Sequence, residues 1–253
     1  MNRLSAVVVT LNEEANIVEC LKSVHFADEI VVVDSQSSDS TVQLAKRFTD
    51  KVYQTTFEGY GKLKNDAMAK ASGDWILSID ADERVSPRLA EEIAEVVGTD
   101  SNCSGYLMPR RTFFLGRWIM HGGWYPGYVL RLFRKDSASF SNALVHENVA
   151  VSGDVGKLEG ELLHYSDPNL KRYLSKLDRF TDLSSQALFE NGRRTGFNDL
   201  LFRPTFMFWK MYFFKLGILD GVQGLILSLL SAVHVFIKYV KLWEKCRTSQ
   251  AGE

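Results

Sequence analysis

Cysteine is scarce in this sequence of 253 residues, and the three cysteines lie far apart. Cys20, Cys103 and Cys246 are odd in number and form no Cys-x-x-Cys pair, which argues against a disulfide framework and a structural zinc site. The amino terminus also lacks a basic segment followed by an apolar one, so no secretory signal is visible. These absences predict a chain that stays in a reducing cytosol.

Glycine-rich phosphate loops are missing as well, since neither a Gly-x-Gly-x-x-Gly nor a Walker A pattern occurs. Apolar residues make up 45 % of the chain, which permits a sizeable core. The formal charge of −1 conceals an uneven distribution. Residues 1–100 hold 18 acidic and 10 basic side chains, a net of −8, whereas residues 203–247 hold 7 basic and 2 acidic ones, a net of +5. This split suggests two different functions along the chain.

Four apolar runs alternate with helical patterns in the first hundred residues, at 5–11, 29–35, 51–57 and 74–79. The continuous valine-rich runs are typical of parallel strands buried on both faces. Ser86 and Pro87 form a helix start, and Gly98 suits a helix end. The pattern predicts a Rossmann-like α/β fold with right-handed crossovers.

The rest of the chain departs from this repeat. Residues 105–165 predict short antiparallel strands that complete a pocket, and a helix is predicted at about 168–191. We therefore predict a catalytic domain at 1–165 and a helical extension at 166–253, whose segment 203–245 associates with a membrane.

Polar residues follow three of the predicted strands, at 10–13, 34–35 and 80–82. Right-handed crossovers bring these strand ends to one edge of the sheet, where ligands of open α/β sheets bind. Asp80, Asp82 and Glu83 repel one another, so a positive partner must stand between them unless water surrounds them. The sequence alone does not decide whether this positive partner is a lysine or a metal ion. An acidic pocket holds a pyrophosphate only through a divalent cation such as Mg²⁺ or Mn²⁺.

Four blocks carry a family resemblance: VVVTLNEEANI, EIVVVDSQSSDST, GYGKLKNDAMAKASGDWILSIDADE and LVHE. In this order they resemble family 2 glycosyltransferases with a GT-A fold, and more closely the bacterial lipopolysaccharide core β-1,4-glucosyltransferases. The resemblance covers nearly the whole chain, including RLFRK and the apolar tail that ends KYVKLWE. It implies an α/β GT-A domain followed by apolar, basic C-terminal helices.

The resemblance also implies site residues. Those of the nucleotide-sugar pocket are Leu11, Asn12, Glu13, Asp34, Lys62, Asn65, Asp80 and Ala81. Asp82, together with Asp80, is implied to hold the Mg²⁺ or Mn²⁺ that bridges the diphosphate. The catalytic base is placed at Glu147, although many family members have a Glu-Asp pair there.

Further residues are expected to meet the diphosphate or the acceptor. They are His146, Arg131, Arg134, Trp124 and Tyr125. Simpler roles stay open: Asp34 as a helix cap, Lys62 and Lys64 as a solvated face, the two arginines as decoration of an edge strand, and His146 with Glu147 as a surface pair. For His164, a metal ligand and a buried structural histidine are equal alternatives.

The tail is rich in aromatic residues at 206–214 and then runs from Gly221 to Ile237 without a formal charge. Lys238, Lys241 and Lys245 follow on one helical face. We expect helices that lie in the membrane interface with lysines toward anionic headgroups. A hairpin, a single span, and a buried helical pair or dimer interface are the alternatives.

Together these observations predict an inverting, metal-dependent transferase that moves a hexose, glucose by preference, from UDP-hexose to a lipid-anchored core oligosaccharide. It would act on the cytoplasmic face of the inner membrane, with no nucleic-acid partner. The alternatives are another polysaccharide or lipid-linked acceptor, a phosphatase of the haloacid-dehalogenase type, and a binding protein without catalysis.

Overall fold

The computed structural model describes residues 2–99, 101–141, 149–167 and 169–251. It divides into two compact units, Met1–Arg111 with Gly127–Ser166 and Thr112–Pro126 with Asp167–Glu253. The strands are β1 Leu4–Thr10, β2 Glu29–Asp34, β3 Val52–Gln54, β4 Trp75–Asp80, β5 Glu83–Val85, β6 Cys103–Phe114, β7 Arg117–Trp118, β8 Gly127–Arg134, β9 Ala138–Phe140, β10 Val149–Val151, β11 Asp154–Lys157 and β12 Leu162–Asp167. The α-helices are α1 Ile17–Ser23, α2 Thr41–Ala45, α3 Tyr60–Lys70, α4 Pro87–Gly98, α5 Leu170–Glu190, α6 Phe197–Trp209 and α7 Gly221–Ala251.

The first unit is built around parallel strands in the order β3-β2-β1-β4. Every residue of β1 and β2 is buried, which explains why their sequences are continuous valine runs and not alternating patterns. The predicted β-α repeat is therefore confirmed. Its third strand is shorter than the apolar run, because β3 spans only Val52–Gln54.

The second half of the same sheet is mostly antiparallel. β8 pairs antiparallel with β4, with Leu132 opposite Leu77, and β6 pairs antiparallel with β8. The order continues through β12 to β5, where His164 lies opposite Glu83. Residues from the second half of the unit thereby come next to the end of β4.

Helix α4 begins and ends where the sequence predicts. The Ser86 hydroxyl accepts a hydrogen bond from the Leu89 backbone N–H at 3.3 Å, Pro87 is the first helical residue, and Gly98 is the last. Its apolar residues Leu89, Ile93 and Val97 are buried at i, i+4 and i+8, so that one face packs into the core.

The second unit contains α5, α6 and α7. A π-helical segment, Lys210–Phe214, continues α6, and a 3-10 turn, Gly217–Asp220, precedes α7. The Lys241 ammonium lies 2.7 Å from a carboxylate oxygen of Asp178 and 2.8 Å from one of Asp182, both on α5. The expectation that the lysine face of α7 points to lipid headgroups is therefore wrong for Lys241, because carboxylates of α5 neutralise it.

Apolar surface remains open on this unit. Within the part of the chain that the structure describes, one helical stretch, Gly217–Thr248, is long and apolar enough to cross a membrane, and 22 % of its most apolar window is buried. On α6 and its π-helical continuation, Phe202, Phe206, Trp209 and Phe213 are exposed at i, i+4, i+7 and i+11. These four residues, called the aromatic stripe below, lie on one helical face.

Candidate active site

The ends of β1, β2 and β4 meet at one edge of the sheet. Thr10 lies opposite Asp34, and Val9 lies opposite Asp80. The hydroxyl oxygens of Thr10 and Ser35 are buried at this edge without a hydrogen-bond partner. Since a buried polar atom without a partner is costly, these hydroxyls are suited to a ligand or an ordered water. The convergence of the three strand ends is as predicted.

The loops that follow β1 and β2 bind each other through side chains. Ser37 Oγ accepts a hydrogen bond from the Asn12 backbone N–H at 2.8 Å, and Asn12 Oδ1 accepts one from the Ser38 N–H at 2.8 Å. Asn12 has a φ of +54°, a left-handed conformation that asparagine tolerates. These bonds hold the first loop in a fixed shape, with Leu11 exposed beside it.

The carboxylate of Asp34 is fully buried and is held within its own loop. It accepts hydrogen bonds from the Ser37 N–H at 2.9 Å and from Gln54 Nε2 at 3.1 Å. Asp34 does not cap α2, whose N-cap residue is Ser40. The helix-cap alternative is therefore excluded.

Asp80 lies at the end of β4 between two cations. Its carboxylate is 3.1 Å from the Lys64 ammonium and forms a second ion pair with Arg131. Burial raises the pKa of Asp80, but Arg131 and Lys64 outweigh this effect and hold that pKa well below its usual range. Lys64 is 2 % exposed, so it is not part of a solvated helix face.

Glu83 is a fully buried carboxylate three residues beyond the end of β4. It lies 2.9 Å from Arg131 and 3.4 Å from Arg110, and it accepts a hydrogen bond from the Asp80 backbone N–H at 3.1 Å. Burial lowers the pKa of Arg131, but Asp80 and Glu83 reverse this and raise it. For Asp80 and Glu83, the positive partners are thus protein side chains, and Arg131 does more than decorate a strand.

Asp82 lies beside a histidine. Its Oδ1 lies 3.5 Å from Nε2 of His164 on β12, while Nδ1 of His164 is buried without a hydrogen-bond partner. A carboxylate oxygen and an imidazole nitrogen are both ligands of divalent metals. The structure therefore brings together the predicted metal ligand Asp82 and His164, for which the sequence left a metal role open.

The predicted residues of α3 have different surroundings. Lys62 is exposed and lies 2.6 Å from Glu58. Asn65 exchanges two hydrogen bonds of 2.9 Å with the backbone of Phe140, and so it fastens β9 to the helix. Ala81 is buried in the core, and its N–H donates to the Val9 carbonyl. Nothing tests the nucleotide roles of these residues, which stay predictions.

Among the other predicted residues, Arg134 is not brought to the carboxylates. Arg134 lies opposite Trp75, at the start of β4, where it donates to the Ser101 carbonyl and covers the Trp75 ring. Trp124 packs against Phe114 in the second unit, to which Tyr125 also belongs. His146 and Glu147 lie outside the described residues. Their assigned roles remain predictions.

The sequence did not predict which side chains become the partners of these carboxylates. Glu83 was visible as part of the carboxylate run, but its arginine partners Arg110 and Arg131 are on β6 and β8. Only the sheet order places them there. His164 had no motif around it, and its pairing opposite Glu83 reveals its position beside Asp82.

Comparisons with known proteins agree with this geometry. The model of "Glycosyl transferase family 2" matches residues 5–144, more than half of the chain. The lipopolysaccharide core biosynthesis glycosyltransferase LpsC of Rhizobium meliloti (strain 1021) is 30 % identical over 96 % of this chain and 92 % of that protein. An uncharacterized glycosyltransferase of Rickettsia typhi is also 30 % identical, over 96 % of this chain and 88 % of its own length.

Among solved structures, the mannosyltransferase PcManGT from Pyrobaculum calidifontis, in complex with GDP-Man and Mn²⁺, has a TM-score of 0.58 at 15 % identity. The match covers 96 % of this chain and 88 % of that one. The fold is of the GT-A type, and the family match shows a nucleotide-sugar glycosyltransferase. The chain belongs to Glycosyl transferase family 2. Membership in this family replaces the phosphatase alternative.

Proposed function

We propose that this glycosyltransferase moves a hexose, glucose by preference, from UDP-hexose to a lipid-anchored lipopolysaccharide core oligosaccharide, with inversion at the anomeric carbon. The observation that carries the proposal is Asp82 beside His164, at the sheet edge where Asp80 is kept ionised by two cations. The similarity to LpsC supports the acceptor class. The family resemblance supports UDP as the nucleotide.

The side chains at this edge fit a divalent cation that arrives with the donor. Within the described ranges, no three His, Cys, Asp or Glu side chains are grouped to hold a metal by themselves. Asp82 and His164 would supply two ligands, and diphosphate oxygens and water would supply the others, as Mg²⁺ sites commonly do. Because an imidazole is a softer ligand than carboxylate oxygen, we expect Mn²⁺ to support binding better than Mg²⁺. When bound, the cation stabilises the charge of the leaving diphosphate.

Asp80 is assigned a different task from Asp82. Its two cations compete with direct metal binding, so we assign its carboxylate to the ribose and to the placement of Lys64 and Arg131. Glu147 takes the proton of the acceptor hydroxyl as general base. Trp124 and Tyr125 stack on the acceptor sugar. Asn12, Glu13 and Asp34 surround the nucleoside in this proposal.

We further propose that the second unit lies on the cytoplasmic surface of the inner membrane. All four members of the aromatic stripe are exposed, by 40 % to 62 %. Exposed Lys210 and Lys215 flank Phe213, so the apolar face has basic neighbours suited to anionic headgroups. A lipid-anchored acceptor and the enzyme would then share one surface.

Calorimetric titration of the detergent-purified chain with UDP-glucose and UDP-galactose, with and without Mn²⁺, tests the proposal. We expect Mn²⁺-dependent binding that Asp82→Asn reduces by about tenfold or more, since a lost metal ligand costs at least that much. Asp74→Asn is the matched control, because Asp74 caps the Arg3 N–H at the opposite edge of the sheet. Undiminished metal-dependent binding in Asp82→Asn would refute the site. Binding without transfer to any acceptor would favour a non-catalytic protein.

A further inference from the structure

A second buried carboxylate, Asp220, lies in the unit that carries Trp124 and Tyr125. It is 1 % exposed and ends the 3-10 turn before α7. Its oxygens accept hydrogen bonds from the backbone N–H of Met120 at 3.2 Å and of His121 at 2.7 Å. Nδ1 of His121 lies 3.2 Å from the same carboxylate. One buried side chain therefore binds a loop about a hundred positions earlier in the sequence.

Other bonds join the same two segments. The Gly122 N–H donates to the Lys215 carbonyl at 2.8 Å, and Arg117 Nη2 donates to the Leu219 carbonyl at 3.4 Å. We call residues 119–124 the glycine loop and residues 215–222 the apolar turn. Gly122 and Gly123 have φ values of +69° and +81°, so the glycine loop has little intrinsic stiffness. Its shape is set by the apolar turn.

The apolar turn packs closely against α7 and exposes large apolar side chains. A Cβ at Gly224 would lie 1.9 Å from the Gly217 carbonyl oxygen, so α7 approaches the turn too closely for any side chain there. Leu216, Leu219 and Val222 are 52 %, 57 % and 68 % exposed, and exposed Lys215 and Arg117 flank them. Apolar side chains with basic neighbours suit insertion into an anionic lipid surface.

We propose that Asp220 is a positioning residue that couples insertion of the apolar turn into an anionic bilayer to the placement of the glycine loop, and with it of Trp124. This inference rests on the proposed function, in which Trp124 and Tyr125 stack on the acceptor sugar. A buried carboxylate is retained at little benefit to stability unless it is fully hydrogen-bonded, and Asp220 binds two backbone donors and an imidazole. These directional bonds hold the glycine loop in one position, whereas apolar packing alone would not specify a single position.

Hydrogen exchange of the full chain, with and without phosphatidylethanolamine–phosphatidylglycerol vesicles, tests the coupling. In the wild type we expect vesicles to slow exchange at the Met120, His121 and Gly122 amides by about tenfold, because a fixed turn suppresses local opening. In Asp220→Asn the vesicles should still bind but no longer slow these amides, because the amide NH₂ group cannot accept. His121→Leu removes only the side-chain bond and should lose part of the effect.

Glu29→Gln is the matched control, since it removes a buried, hydrogen-bonded carboxylate from the other unit. It should lower stability and leave the vesicle effect on the glycine loop intact. In kinetics with truncated-core lipopolysaccharide in the same vesicles, Asp220→Asn should raise the acceptor KM by about tenfold at an unchanged donor KM. Glu29→Gln should change neither.

The inference is overturned if vesicles still slow exchange at the glycine-loop amides of Asp220→Asn. It is also overturned if vesicles do not change exchange in the wild type, or if Glu29→Gln loses the effect to the same extent. Calorimetry with the donor tests the proposed function independently of this inference, because the hydrogen-exchange experiment needs no sugar nucleotide. Co-sedimentation of the wild type with vesicles separates absent coupling from absent membrane binding.

Discussion

The Arg131 guanidinium serves two carboxylates at once, Asp80 at the strand end and fully buried Glu83. Removing it leaves the buried Glu83 carboxylate with a weaker ion pair to Arg110 at 3.4 Å and the hydrogen bond from the Asp80 N–H. We expect Arg131→Met to lower the free energy of unfolding by about 3 kcal/mol or more, the usual cost of breaking a buried ion pair. Urea unfolding measures this change.

Arg88→Met is the control for that substitution, because exposed Arg88 pairs with Glu92 and Glu159 at the surface. Such pairs contribute about 1 kcal/mol or less. Equal losses in the two variants would mean that the Arg131 network is as weakly coupled as a surface pair, and our account of the carboxylate cluster would fail.

Glu29 supplies a pH-dependent contribution to stability. Burial raises its pKa, but hydrogen bonds from Lys51, Ser5 and Ser72 outweigh this and lower the pKa from 4.5 to about 2. The unfolded chain therefore binds a proton near pH 4.5 while the folded chain stays ionised down to about pH 2. Stability from Glu29 is present above pH 4.5 and is lost as the pH falls through this window.

Denaturant unfolding between pH 7 and pH 2 checks this prediction. Glu29→Gln should be about 2 kcal/mol less stable than the wild type at pH 7, allowing for solvent screening of half-exposed Lys51. The gap should narrow as the acid protonates Glu29 in the wild type. A gap that is constant down to pH 2 would show that the carboxylate is not preferentially ionised in the folded state.

The sequence specified the carboxylates of the candidate site but few of their partners. Asp80 and Asp82 follow a buried strand, so their edge of the sheet was predictable. Lys64 lies in a helix where charged residues usually face water, and its burial depends on Asp80. Arg131 and His164 reach the site through strands that follow much later in the chain. Such placement is a property of long-range pairing, which residue types alone do not encode.

At the scale of elements, local signals predicted the β-α repeat and the antiparallel strands of residues 105–165, but they did not predict the order of those later strands. Continuous valine runs and the Ser86 cap are interpretable within a few residues. The order β8-β6-β12-β5 depends on pairing between distant segments, and a short strand such as β5 has no pattern of its own. The charge pattern of α7 gave a wrong prediction for Lys241, which was expected to face lipid headgroups. Its partners Asp178 and Asp182 are on another helix, so the pattern of α7 alone does not reveal them.

The aromatic stripe of α6 tests how the second unit meets a membrane. Phe206→Ser combined with Trp209→Ser removes two of its four members, both exposed, so folding should change little. We expect co-sedimentation with anionic vesicles to fall by about tenfold or more, since each lost aromatic contact with lipid contributes on the order of 1 kcal/mol.

Phe26→Ser combined with Tyr53→Ser is the control, because these exposed aromatics belong to the first unit. It should leave vesicle binding unchanged. If instead the stripe variant binds vesicles normally but shifts from dimer to monomer in analytical ultracentrifugation, the stripe is an interface between two copies and not a lipid contact.

For the whole molecule, the charge distribution predicts that salt weakens membrane binding much more than donor binding. Residues 1–100 carry −8 and residues 203–247 carry +5, so the tail is attracted to an anionic bilayer whereas the first hundred residues are repelled. Salt screens exposed charges over a Debye length of about 10 Å at 0.1 M and about 3 Å at 1 M. Donor binding through a metal and partly buried carboxylates is screened much less. Vesicle co-sedimentation should therefore decline steeply with salt while Mn²⁺-dependent UDP-glucose binding changes little.

Both quantities can be measured on one preparation across the same NaCl series, with phosphatidylcholine vesicles as the uncharged reference. Residual binding to the uncharged vesicles reports the apolar contribution of the aromatic stripe and the apolar turn. We expect this residual binding to persist at high salt, because burial of apolar surface is not weakened by screening. If salt abolishes vesicle binding altogether, the tail is held by charge alone. The exposed aromatic residues would then require another partner, for which a second copy of the chain is the first candidate to examine.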